Sequence, residues 1–182
     1  MGAAPTGGQV GLVLVAFAAP LQLLTSVIGF LARDIVAGTG MGVLAGTWSA
    51  TGLVLLTSAP GSTSDALGLL LMVSALAIAV ACAGAVSSKA VPAAVLATTV
   101  LRFAATGVYE LSGSDWWKSA AGWIGVVLAA LAAYTSLALL LEDAHHRTRL
   151  PLGRRGDEAS ALREGSSDEA TLWQEAGIRN QL

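Results

Sequence analysis

Five apolar runs, each about twenty residues long, alternate with short polar breaks over residues 1–141. They extend from about Gln9 to Leu31, Ala37 to Leu56, Ala66 to Val86, Ala90 to Tyr109 and Ser119 to Leu141. A helix needs about 20 apolar residues to cross roughly 30 Å of hydrocarbon, so each run predicts one membrane span. Barrel strands would be about half as long and would alternate polar with apolar positions. Inside lipid, a helix closes its backbone hydrogen bonds within its own segment, which suits runs with no alternation. The pattern therefore predicts an all-α fold, a polytopic transmembrane helix bundle of five spans.

The breaks have the residues that connections need. Arg33-Asp34 separates the first two runs, Ser58-Ala-Pro-Gly-Ser-Thr-Ser-Asp65 is rich in turn formers, Ser87-Ser-Lys89 is a tight link, and Glu110 to Lys118 is polar. Within the last of these, Trp116 and Trp117 have the amphipathic character of side chains that settle at the membrane surface. The chain divides into a short N-terminal segment (1–8), a membrane domain (9–155) and a polar tail (156–182). A secretory leader is the rival reading of the first run. Residues 1–8 carry no basic side chain, and a 23-residue run exceeds the usual leader core, so it reads as a span. The tail has too few apolar residues to offset its ordering entropy and reads as flexible, with Leu172-Trp173 able to dock on a partner or on the membrane edge.

Composition narrows the function. Of all residues 54% are hydrophobic and 12% charged, against roughly 25% charged in soluble domains. Only eight of the charges fall in residues 1–141, and fourteen fall in residues 142–182. A formal net charge of −2 offers no basic face for nucleic acid. The single Cys82 can form neither an internal disulfide nor a thiolate cluster. The adjacent pair His145 and His146 is poor metal geometry, and none of the familiar nucleophile, zinc or phosphate-loop motifs is present. Neither an enzyme nor a cofactor or metal site is expected. Arg147, Arg149, Arg154 and Arg155 follow the fifth run, which puts the C-terminus in the cytoplasm of a plasma-membrane protein and the N-terminus outside.

Inside the spans, three features invite attention. Gly38, Gly42 and Gly46 recur at four-residue steps, a spacing that predicts a groove for close helix approach. Arg102 is the only ionisable residue deep in a predicted span, where a cation must face an interior or snorkel to the surface. It could attract an anion, since guanidinium binds carboxylates through two parallel hydrogen bonds. It could instead be structural, reaching the outer interface or pairing with Glu110. Glu110, Glu142 and Asp143 lie at span ends, where they read as boundary charges or as sites of proton exchange.

The segment Gly122-Trp-Ile-Gly125-Val-Val-Leu-Ala-Ala-Leu-Ala-Ala-Tyr134, continued by Arg147-Thr-Arg-Leu-Pro-Leu-Gly153-Arg-Arg, resembles the last span and exit of the acetate uptake transporter family. That family, which includes the succinate-acetate/proton symporter, shows a Gly-x-x-Gly, an Ala-Trp-Tyr and an Arg-Thr-x-Leu-Pro-x-Gly in this order. Ala133 stands at the Trp of the second motif. Gln22 and Trp48 share the spacing of the family's second-span Gln and third-span Trp; Phe30 and Thr39 also fit, and Asp34 stands where the family has Asn. The resemblance covers about residues 15–155. It implies a membrane transporter for small monocarboxylates such as acetate, extending to succinate, with proton coupling and ring-like homo-oligomers. Gln22, Thr39, Trp48, Arg102 and Tyr134 would border the substrate pathway, and Gly38, Gly42, Gly46, Gly122 and Gly125 would pack helices. Two departures stand out. The family has six spans, the first opening with Asn-Pro-Ala-Pro-Leu-Gly, so the five runs match its second to sixth, and an upstream helix would complete the set. Leu44 stands at the position of a gate Tyr. The alternative is a non-transporting membrane scaffold or regulatory protein derived from the same fold.

Overall fold

The computed structural model describes residues 7–85, 90–145 and 150–153. Five long helices account for nearly all of them: α1 (Gly7–Leu31), α2 (Ile35–Thr57), α3 (Asp65–Ala85), α4 (Ala90–Ser112) and α5 (Asp115–His145). All five are long and apolar enough to cross a membrane, so the chain is a multi-pass membrane protein by length and composition. The basic residues Lys89, Arg147, Arg149, Arg154 and Arg155 lie outside the described residues. So do His146, the tail 156–182 and the side chains of Glu142, Asp143 and His145.

Local chemistry sets the breaks. In α1, Pro20 has no N–H to give to the preceding turn, and the helix widens into a π turn at Leu14–Ala18 just before it, with Ala19 N–H donating to Leu14 O. At the end of α1, Arg33 takes a left-handed conformation (φ 60°). Asp34 N–H then reaches Gly29 O at 2.9 Å and Arg33 N–H reaches Phe30 O at 3.0 Å, the paired bonds of a Schellman close. The Asp34 carboxylate accepts Ala37 N–H at 2.9 Å and caps α2, which starts two residues before the apolar run does. Ser64 caps α3 through Leu67 N–H at 3.3 Å.

The stretch Glu110–Lys118, expected to be a connection, is mostly helical. α4 continues to Ser112, Gly113 (φ 65°) turns the chain, and α5 starts at Asp115. Polar residues at a membrane surface can keep helical hydrogen bonds while their side chains face water, so the helices outlast their apolar runs. Trp116 and Trp117 consequently sit in the first turn of α5, edge to face at 4.7 Å, and Lys118 Nζ lies 5.7 Å from the Tyr109 ring centroid.

The helices pack serially. Among the described residues every substantial contact joins neighbours in sequence, most extensively α1 with α2 and α3 with α4, then α4 with α5 and α2 with α3. The core is therefore central in the chain. Leu67, Leu71 and Ala75 of α3 and Phe103 of α4 are buried together, with Leu44, Trp48 and Val54 of α2 against them. Of the most apolar window of each helix, 39% is buried in α3 but only 6% in α5, which leaves α5 the most lipid-accessible of the five.

Candidate functional site

The candidate residues fall into three places. The first is the seam between α1 and α2. Ser26 Oγ donates to Gly38 O at 2.6 Å. A Cβ on Gly29 would stand 2.8 Å from Gly38 N, and one on Gly42 would stand 3.0 Å from Ser26 Oγ. At the other end, a Cβ on Gly11 would meet Gly52 O at 2.7 Å. On α2 the close approaches to α1 fall at Gly38, Gly42 and Gly52. Gly46 is not among them. An added Cβ there meets nothing within 4 Å. A strict four-residue step drifts off the contact face within two turns, and the expected third glycine of the groove is exposed.

Gln22 lies seven residues before Gly29, on the same seam face of α1. Its Oε1 is buried with no hydrogen-bond partner. Thr39, by contrast, is exposed one position beyond buried Gly38, so its side chain points away from that seam.

The second place is the core, where the Trp48 ring meets Phe103 edge to face at 5.9 Å and 81°. Next to it Thr47 Oγ1 and Ser74 Oγ share a buried hydrogen bond of 2.9 Å that ties α2 to α3. This bond was not anticipated, because Thr and Ser are scattered through all the spans and nothing in their spacing marks these two.

The third place is the contact of α4 with α5. Arg102, half-buried, donates from Nη1 to Ala121 O, and its guanidinium lies across Gly125. A Cβ on Gly125 would be 3.0 Å from Arg102 Nε and 3.2 Å from Cζ. Ala121 and Gly125 are one helical turn apart, so the cation rests on one face of α5. Among the described residues Arg102 therefore does not pair with Glu110. The Glu110 carboxylate instead accepts Ser64 N–H at 2.8 Å, linking the end of α4 to the start of α3. Gly122, the other glycine of the motif, is exposed with nothing within 4 Å of an added Cβ, so it packs no helix within this chain. It lies about 100° around the helix from Ala121 and clear of the Ala121–Gly125 face. Tyr134 does not join these residues; its O–H donates to Pro151 O at 2.9 Å.

Gln22, Thr39, Trp48, Arg102 and Tyr134 are therefore spread over separate helix contacts rather than gathered at one point. No group of three or more His, Cys, Asp or Glu that could hold a metal occurs among the described residues. A scan against protein-family models finds no match, and a search of curated proteins finds no significant relative.

Proposed function

We propose that the chain is an integral membrane carrier, or pore-like path, for small monocarboxylates such as acetate, extending to succinate, of the acetate uptake transporter type. The observation that carries this reading is the fate of the residues on which the resemblance rests. Gly125 seats Arg102 against α5, Tyr134 holds Pro151, and Leu152 and Gly153 bond to the start of α4. Gly125, Tyr134, Leu152 and Gly153 each hold α5 or the segment after it to a neighbour, whereas Gly122 does not, and these contacts support the resemblance. Gln22 adds to it, because a buried carbonyl oxygen without a partner in an apolar seam is costly and needs a reason. In this reading proton coupling accompanies the anion, subunits self-associate in the plasma membrane, and the C-terminus is cytoplasmic. No catalytic chemistry is involved.

The test is uptake of labelled acetate into vesicles containing the purified protein. Uptake above that of empty vesicles is expected; equal uptake with protein shown to be folded rejects the carrier. An Arg102→Ala variant with full uptake would remove Arg102 from the path.

One observation favours a second reading. The five pathway residues are dispersed, and the Arg102 guanidinium already has an acceptor in Ala121. A non-transporting scaffold needs no more than that. It predicts empty-vesicle uptake together with specific capture of a partner by the tail from Leu172 to Leu182.

A further inference from the structure

The chain just beyond α5 returns to the start of α4. Ala90 N–H donates to Gly153 O and Val91 N–H to Leu152 O, both at 3.1 Å. Tyr134 O–H holds Pro151 O at 2.9 Å. Leu152 is 1% exposed, although it belongs to no helix. Gly153 has φ 65°, and a Cβ there would stand 2.8 Å from the Ala90 Cβ, so the segment can close only with glycine at this position.

The first amides of a helix have no partner within it, and their dipoles sum to a partial positive charge that carbonyl oxygens complement. Two of those amides in α4 are satisfied here by main chain from 62 or so positions further on, not by a neighbouring side chain. At the other end of α4, Glu110 holds Ser64; between the ends, Arg102 holds Ala121. α4 is therefore fastened at several levels, among them Cys82 Sγ to Ala93 O at 3.4 Å near its start, and the fastening at Ala90 is made by main chain of the segment after α5.

We propose that Pro151–Gly153 is a releasable clasp. When it opens, the Ala90 end of α4 separates from α5 while the joint at Arg102 stays closed, so the two helices hinge about Arg102. Among the described residues the clasp is held by three hydrogen bonds and one buried leucine, few enough contacts to open without disturbing the core around Phe103. It does not depend on what, if anything, the protein carries.

Hydrogen exchange of the full chain in lipid nanodiscs reads this directly. In the unmodified protein, the amides of Ala90 and Val91 should exchange through a local opening at least tenfold faster than those from Thr99 to Gly107. Gly153→Val should accelerate exchange in the first turn of α4 at least tenfold and leave residues 115–130 unchanged. Tyr134→Phe, which keeps the ring and loses one bond, should give a smaller acceleration in the same place. Equal protection of the first turn and mid-helix in the unmodified protein would overturn the clasp, as would acceleration spread evenly over α4 and α5 in both variants, or none in either.

Discussion

Arg102 shows how a deep cation is accommodated without an anion beside it. Hydrocarbon penalises the charge, and a main-chain carbonyl of α5 plus a glycine face give it a hydrogen bond and room to lie flat. A backbone acceptor carries no residue-type signature, so the sequence could mark Arg102 as unusual but not say what it meets. Gly125, in turn, is recognisable in sequence only as one of many small residues. Filling it should couple to Arg102. Gly125→Val should cost about 1–3 kcal/mol of stability by overpacking, measured by reversible unfolding in mixed micelles. In an Arg102→Ala background that cost should shrink by at least about 0.5 kcal/mol, the coupling expected of residues in contact. Independent effects would mean that the guanidinium does not rest on this face.

Among the elements, α1 and α2 form the tightest pairing, and their seam separates glycines that sequence spacing treats alike. Gly38→Ala would drive a Cβ to 2.8 Å from the Phe30 ring, and Gly29→Ala to 2.8 Å from the backbone nitrogen of Gly38. Each should lower the melting temperature, the second more because backbone cannot swing aside as a ring can. Gly46→Ala meets open space and should be neutral or stabilising, by up to about 1 kcal/mol from helix propensity. A drop for Gly46→Ala comparable to that of Gly38→Ala would place Gly46 in a contact outside this chain. The five helices were legible because bilayer thickness fixes their length. Their ends were not, since the interface lets helices run on through polar residues such as Glu110 and Asp115. The outward position of Gly46 was not legible either, because a four-residue spacing does not by itself fix which glycines meet a neighbouring helix. Ser26, buried and bonded to Gly38 O, was missed as one hydroxyl among many; Ser26→Ala should cost about 1 kcal/mol in the same unfolding measurement.

For the whole molecule, five spans among the described residues are expected to put Gly7 and Gly153 on opposite sides of the membrane. Compartment-sensitive reporters fused ahead of Gly7 and after Gly153 should therefore give opposite signals, with the cytoplasmic signal at the C-terminal fusion expected from the basic exit. Like signals would remove one of the five helices from the bilayer. Serial packing also bears on how the molecule is made. Every helix packs on its neighbours in sequence, most extensively α1 with α2 and α3 with α4, so packing can proceed as successive segments leave the ribosome, with little waiting for distant chain. The bonds from Ala90 and Val91 to Gly153 and Leu152 are the exception. They cannot form until residue 153 has been synthesised, long after α4 itself is complete. Until then the amides of Ala90 and Val91 are without these acceptors. Closure at Ala90 is thus a late step of assembly, a mark on the molecule that its fifth helix has arrived and turned back.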